Sequence, residues 1–193
     1  MDTERIERAV TELLLAIGED PSRPGLDRTP ARVAEAYSEF FSGIGEDPLT
    51  HLADAIAVGD GGPGEAVVLR DIAFRSICEH HLLPFLGVAH VAYLPNERIV
   101  GLGRLPRVVA TLASRPQIQE RLTEEIADAL EQGLGARGVL VVLDAVHGCV
   151  AARGSRQAAA STVTLASRGA LSDPVSRAEI IALIGRGGAP VHG

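Results

Sequence analysis

Two stretches near the N-terminus alternate apolar and polar residues with helical spacing. Residues 4–17 place apolar side chains three and four positions apart, and Gly18 stops the run, which predicts an amphipathic helix. Thr29 followed by Pro30 predicts an N-cap and the first position of a second helix, which Gly43 closes. The pattern therefore predicts a helical region at the start of the chain.

The composition changes after these helices. Residues 44–65 are rich in Gly, Pro and Asp and contain one short apolar patch, which predicts a linker. The predicted division is an N-terminal helical region with its linker, residues 1–64, and a main body, residues 65–193. A chain of 193 residues with 46% hydrophobic content is long enough for one sizeable core.

The main body opens with strand patterns. Residues 66–74 are rich in β-branched side chains and predict a strand, and residues 87–94 predict the next one. Pro95 and Asn96 predict a turn from that strand into residues 98–101, so these two segments are expected to form a hairpin.

Helix and strand patterns alternate through the rest of the chain. Residues 105–114 and 116–132 predict two helices. Residues 139–150 predict a long central strand, residues 161–166 another strand, and residues 173–184 a final helix. Strand pairs on either side of two helices indicate an α+β domain.

Charge and targeting signals exclude several classes of protein. The formal charge of −7 argues against a nucleic-acid binder, because phosphate backbones require a basic surface. No apolar run approaches the ~20 residues of a membrane helix, and the charged N-terminus does not resemble a signal peptide. A cytoplasmic location is expected, where both cysteines would be reduced. All 18 basic residues are arginine, with no lysine in the chain.

Metal-ligating residue types are densest at residues 78–81. Cys78 and His81 stand in a C-x-x-H spacing, which allows one short loop to direct both side chains onto one ion. A buried cysteine beside surface histidines explains that spacing equally well, so a third ligand is needed to decide.

The third ligand candidate lies about seventy positions downstream. If the central strand extends through residue 150, His147 and Cys149 face the same side, because side chains at i and i+2 do so in a strand. We assign Cys149 to the metal beside Cys78 and His81, and His147 to the adjacent chemistry. Three protein ligands with one open position are typical of catalytic zinc, which lowers the pKa of bound water to about 7.

Four ordered motifs resemble those of GTP cyclohydrolase I. They are Cys78-Glu79-His80-His81, Gly101-Leu102-Gly103-Arg104, Arg115 to Leu122, and His147 to Gly154. Shorter similarities at Gly25-Leu26, at 29–34 and at 161–164 extend the resemblance over nearly the whole chain.

The resemblance implies a fold and an activity. The fold is the tunnelling fold, an antiparallel sheet with two helices on one face, whose copies join into a barrel and stack as a homodecamer with active sites between subunits. The activity is zinc-dependent opening of the guanine imidazole ring of GTP at C8, release of formate and rearrangement to 7,8-dihydroneopterin triphosphate. This product serves folate, biopterin-type or deazapurine pathways.

The resemblance also implies roles for individual residues. The zinc ligands are Cys78, His81 and Cys149, as the spacing indicates independently, and the catalytic residues are His80 and His147. The implied substrate contacts are Gln119 and Glu120 to the guanine edge and Arg104, Arg107, Arg153 and Arg32 to the triphosphate.

The chain departs from the family pattern mainly at the phosphate contacts. Arg104 replaces a lysine with its charge kept, Gly103 replaces a serine, and Glu35 stands where the family usually has a lysine. Either the register differs at Glu35, or triphosphate binding is weaker, or the chain is a paralogue with altered phosphate recognition. Two further alternatives are a nitrile reductase-like enzyme of the same fold and a non-catalytic assembly that binds GTP or a pterin.

Overall fold

A five-stranded sheet covered by helices forms the body of the protein. The computed structural model describes residues 1–58, 64–154 and 156–185. The helices are α1 (Thr3–Ala16), α2 (Thr29–Phe40), α3 (Arg104–Ala113), α4 (Gln119–Leu134), α5 (Gly148–Ala151) and α6 (Pro174–Gly185), with 3₁₀ turns at Pro48–Leu52 and Ala170–Ser172. The strands are β1 (Ile56–Ala57), β2 (Val67–Cys78), β3 (Pro84–Leu94), β4 (Arg98–Ile99), β5 (Pro116–Gln117), β6 (Gly138–His147) and β7 (Thr162–Gly169). The α+β fold class is confirmed.

The two N-terminal helices pack against each other. The Asp2 carboxylate caps α1 by accepting from the backbone N–H of Arg5 at 2.9 Å. The prediction that Thr29 is the N-cap of α2 is wrong, because Arg28 occupies that position and Thr29 lies in the first turn. Pro30 stands in the first turn as expected, where its missing N–H leaves no helical hydrogen bond unmade.

Part of the predicted linker packs against the body. Leu52, at the end of the first 3₁₀ turn, is 1% exposed and belongs to the main core. Arg115 donates to the backbone carbonyls of Gly43 at 2.9 Å and Glu46 at 2.6 Å, which fastens the start of this segment to the end of α3. Residues 59–63 of the segment lie outside the described residues. The domain division at residue 64 stays a prediction.

The strand order in the main sheet is β5-β2-β3-β6-β7. Neighbouring long strands are antiparallel, and the short β5 runs parallel to β2. A bulge interrupts the β2–β3 register between Leu69 and Ile72, where Asp71 has a φ of 58°. The Asp71 backbone N–H donates to Nδ1 of His90 on β3 at 3.2 Å, so a side chain replaces the ladder partner there.

The predicted hairpin between 87–94 and 98–101 is wrong. β4 pairs with β1 in a separate two-stranded sheet, with Ile56 opposite Ile99 and Ala57 opposite Arg98. β3 already has β2 on one side and β6 on the other, so it has no edge left for β4.

Helices α3 and α4 cover one face of the main sheet. The core between them contains Phe74, Phe85, Val91, Val108, Leu122, Ile126, Leu130, Val141 and Leu143. Burying each such side chain contributes about 1.5–3 kcal/mol. Ile180 of α6 packs with Ala92 and Leu140, whose side chains alternate onto the other face. Among the described residues, every helix is too short or too polar to cross a membrane.

Two element boundaries near the candidate site residues differ from the predicted ones. Helix α4 begins at Gln119 and not at Pro116, because Pro116 and Gln117 pair with Ile77 and Cys78 as β5. The strand predicted through residue 150 ends at His147. Its partner β3 begins at Pro84 and the pairing stops at Phe85 opposite His147, so the chain beyond has no ladder partner and turns into α5.

Candidate active site

The structure brings Cys78, His81 and Cys149 together as a Cys-His-Cys cluster. Their ligand atoms all lie within 4.8 Å of one another, and Sγ of Cys78 is 4.0 Å from Nδ1 of His81. Cys78 is buried, Cys149 half-buried and His81 exposed, so the cluster opens to solvent on the imidazole side. Two thiols and one imidazole are a donor set that suits zinc, and the residues present therefore fit that metal.

A tight turn after β2 places His81 beside Cys78. The backbone N–H of Cys78 donates to the carbonyl of Leu83 and the N–H of Leu82 to the carbonyl of Cys78, both at 2.9 Å. Leu82 has a φ of 52°, a left-handed conformation that a leucine adopts at some cost in strain. This tight turn holds His81 over the end of β2, the strand that carries Cys78.

Cys149 reaches the cluster from α5. The expectation that His147 and Cys149 face one side of a strand is wrong, because a helical turn separates them. The turn passes close to β3: a Cβ added to Gly148 would lie 2.8 Å from the carbonyl oxygen of Pro84. Glycine therefore permits the approach that carries Cys149 to Cys78.

The thiol of Cys78 affects that of Cys149. Burial raises the pKa of Cys149 most, and the neighbouring Cys78 raises it further. Without a cation Cys149 therefore favours the protonated thiol. A cation between the sulfurs would reverse this preference, because it stabilises both thiolates.

His147 is held by an aromatic ring and a buried amide. Its ring stacks on Phe85 with centroids 4.7 Å apart and planes 6° apart. Its Nε2 lies 2.7 Å from Oε1 of Gln119. Burial lowers the pKa of His147, and the opposing effect of Glu120 is smaller.

His80, the other predicted catalytic histidine, lies beside the cluster on its turn. Its side chain is 64% exposed, and its Nε2 is 3.8 Å from a carboxylate oxygen of Glu79. Glu79 also forms an ion pair with Arg121 of α4. The structure thus gives Glu79, for which the sequence suggested no role, a contact that joins the turn after β2 to α4.

The predicted guanine contacts Gln119 and Glu120 have different surroundings. Gln119 is 1% exposed, with its amide bonded inside the protein. Glu120 is exposed and lines a cleft of about 480 Å³ between α4 and β7, together with Thr123 and Thr164. Only Glu120 of the two is accessible to a ligand in that cleft.

The predicted phosphate contacts are dispersed. Arg104 and Arg107 line a second cleft of about 190 Å³ with Gly101 and Gly103. Arg104 also forms an ion pair with Asp54, a partner that sequence reasoning missed.

The other two arginines lie elsewhere. Nη2 of Arg153 is 2.6 Å from Nε2 of His81, so this cation contacts the Cys-His-Cys cluster. Arg32 is exposed on α2, as is Glu35. Neither cleft contains Glu120 together with Arg104, so these predicted guanine and phosphate contacts do not share a cleft of one chain.

Comparison with known proteins identifies the family. The sequence profile of GTP cyclohydrolase I matches residues 6–185, which is most of the chain. The chain belongs to the GTP cyclohydrolase I family.

Relatives in several bacteria agree with this assignment. GTP cyclohydrolase 1 of Leifsonia xyli subsp. xyli is 65% identical over 188 residues, which cover 97% of this chain and 98% of the relative. GTP cyclohydrolase 1 of Rhodopirellula baltica is 52% identical, and the match covers 96% of this chain and 80% of the relative.

Among solved structures, the apo form of the archaeosine synthase QueF-Like has a TM-score of 0.46 and 14% identity, and the match covers 55% of this chain and 95% of that one.

Proposed function

We propose that this protein is a zinc-dependent GTP cyclohydrolase I. It hydrolyses the guanine imidazole ring of GTP at C8, releases C8 as formate and converts the remainder to 7,8-dihydroneopterin triphosphate. The observation that carries the proposal is the Cys-His-Cys cluster, with ligand atoms within 4.8 Å of one another, in a chain of this family. Family membership disfavours the nitrile reductase-like alternative.

Cys78, His81 and Cys149 would hold the metal. Bound zinc supplies Lewis-acid activation of water near neutral pH. Three protein ligands leave room for that water, whereas a structural zinc site normally has four. This ligand count supports an enzyme over a non-catalytic assembly.

The two histidines carry the proton transfers. His147 is rigidly held, which suits the ring-opening step, where the purine nitrogen must gain a proton as the bond to C8 breaks. His80 is exposed on the adjacent turn, which suits proton exchange with solvent and with the ribose during the later rearrangement. An imidazole ring can both give and accept a proton, which suits these transfers.

Glu120 and the arginines bind the ends of the substrate. A carboxylate can accept from N1–H and the 2-amino group of guanine together, a pattern that adenine lacks. Arg104, Arg107, Arg153 and Arg32 supply guanidinium groups for the triphosphate. Because Glu120 and Arg104 line separate clefts, we propose that the full site forms between subunits of a homodecamer of the tunnelling fold.

The compartment follows from the thiols. Cys78 and Cys149 are free cysteines, and metal binding requires them to stay reduced. We therefore propose that the protein works in the cytoplasm. We also propose that its ligand is the substrate GTP, and that it binds neither nucleic acid nor a membrane.

The test is product analysis. Protein loaded with zinc and incubated with GTP should yield formate and, after oxidation, neopterin triphosphate. ATP should yield neither, because its adenine edge does not match Glu120. Absence of both products from GTP would defeat the proposal.

A further inference from the structure

The Gln119 side chain has an orientation that its neighbours dictate. Its Nε2 lies 3.1 Å from the carbonyl oxygen of Leu143 on β6 and 2.8 Å from that of Thr162 on β7. Carbonyl oxygens only accept hydrogen bonds, so the amide must present its N–H groups to them. The flipped amide would place its oxygen against both carbonyl oxygens with no hydrogen between them, so the flipped orientation is excluded.

Two threonine hydroxyls reinforce this orientation. Thr123 Oγ1 is 2.7 Å from the backbone carbonyl of Gln119 and must donate to it. Thr164 Oγ1 is 2.6 Å from Thr123 Oγ1, so Thr164 donates to Thr123. Thr164 therefore accepts from Nε2 of Gln119, at 3.1 Å. The two hydrogens of Nε2 are thus shared among three acceptors, the carbonyls of Leu143 and Thr162 and the hydroxyl of Thr164, and all three require the same orientation of the amide.

The orientation determines which nitrogen of His147 carries hydrogen. Oε1 of Gln119 can only accept, and it lies 2.7 Å from Nε2 of His147, so Nε2 must donate. In a neutral imidazole the other nitrogen, Nδ1, is then the acceptor. Stacking on Phe85 fixes the ring plane as well.

We propose that Gln119 is a positioning residue that fixes His147 as the Nε2–H tautomer and leaves Nδ1 as its hydrogen-bond acceptor. The catalytic consequence rests on the proposed function: Nδ1, the nitrogen left as acceptor, first takes up a proton and then gives it to the purine nitrogen, while Nε2–H stays bonded to Gln119. Gln119 thereby differs from the guanine contact that the family resemblance implies. Its side chain is 1% exposed and its N–H groups are already used, whereas Glu120 is exposed at the cleft.

The first test is the tautomer itself. The purified holoprotein, labelled with ¹⁵N in its histidine rings, gives two-bond ¹H–¹⁵N correlations that distinguish the two neutral tautomers. His147 is assigned by the signals that disappear in His147→Phe. The wild-type protein near pH 8 should show the Nε2–H pattern at His147, and an Nδ1–H pattern would overturn the proposal.

Gln119→Leu then removes the amide while keeping a similar volume. It should give His147 signals of both tautomers, and an unchanged pure Nε2–H pattern would overturn the role of Gln119. The matched control is Gln117→Leu. Gln117 is also a buried amide, but its partners are Leu112, Glu125 and Arg121, so this variant should leave the His147 pattern unchanged.

Kinetics separates positioning from guanine recognition. With GTP, Gln119→Leu should lower kcat roughly 10- to 100-fold, within the about 10²–10⁴ that positioned acid–base catalysis contributes, while KM changes less than about twofold. A raised KM with unchanged kcat would instead mean a guanine contact and overturn the proposal. Failure of the wild-type protein to release formate would defeat the proposed function alone, since the tautomer measurement needs no substrate.

Discussion

Gly148→Ala tests whether the close passage of α5 past β3 positions Cys149. The added Cβ would lie 2.8 Å from the carbonyl oxygen of Pro84, well inside the 3.4 Å at which ordinary contacts begin. That oxygen belongs to the backbone at the start of β3, and β3 is fixed between β2 and β6. The turn that carries Cys149 must therefore move away, which separates Cys149 from Cys78 and His81.

The expected cost is that of overpacking, about 1–3 kcal/mol. If the strain falls on the metal-bound arrangement, the Kd for zinc rises about 5- to 150-fold, since about 1.4 kcal/mol is a factor of ten. Competition with a chromophoric chelator measures the Kd, and urea unfolding measures the stability of the metal-free protein. The control is Gly185→Ala, where an added Cβ meets no atom of the described residues within 4 Å. Unchanged zinc affinity in Gly148→Ala, with the control also unchanged, would refute the reasoning.

Three further predictions address the metal ligands, the cleft lined by Arg104 and the dependence of stability on pH. Cys149→Ser should lose zinc and formate release together, because a hydroxyl is a far weaker zinc ligand than a thiolate. Full zinc content by atomic absorption would disprove the assignment of Cys149 as a zinc ligand. Asp54→Asn removes the anion that is paired with Arg104. Because partly exposed ion pairs are worth about 0–1 kcal/mol, the KM for GTP should fall by at most about fivefold. A rise in KM would contradict this prediction. Burial lowers the pKa of His90, so as pH falls below about 6.5 the unfolded chain binds the proton first and the free energy of unfolding decreases. His90→Asn, which keeps an acceptor for the Asp71 N–H, should reduce this decrease in urea titrations between about pH 7.5 and 5.5, and an equal decrease in both proteins would rule out His90 as a cause.

The sequence predicted the fold where periodicity and burial agree. Apolar spacing along α4 and the β-branched run of β2 identified both elements, because each buries one continuous face. It failed where pairing depends on distant segments. The partner of β4 is β1, more than forty residues upstream, and the end of β6 is set by where β3 begins. Neither fact is visible in local sequence.

The Cys-His-Cys cluster could be predicted because few residue types bind zinc and their spacing in the turn is short. Cys149 lies beside Cys78 and His81 although the strand argument for it was wrong, since a helical turn also brings the thiol there. Its role as a metal ligand stays a prediction. The burial of Gln119 could not be predicted, because a glutamine at the start of a helix usually faces solvent. Its acceptors belong to β6 and β7, whose position over α4 is a property of the folded chain.

The most direct test of the account follows the fate of C8. GTP labelled with ¹³C at C8 is incubated with the zinc-loaded protein, and the label is followed by ¹³C NMR. The account predicts that the label leaves the nucleotide as formate, one for each dihydroneopterin triphosphate formed, and that Cys149→Ser releases none. Label retained in the purine ring, or formate released equally by Cys149→Ser, would contradict it.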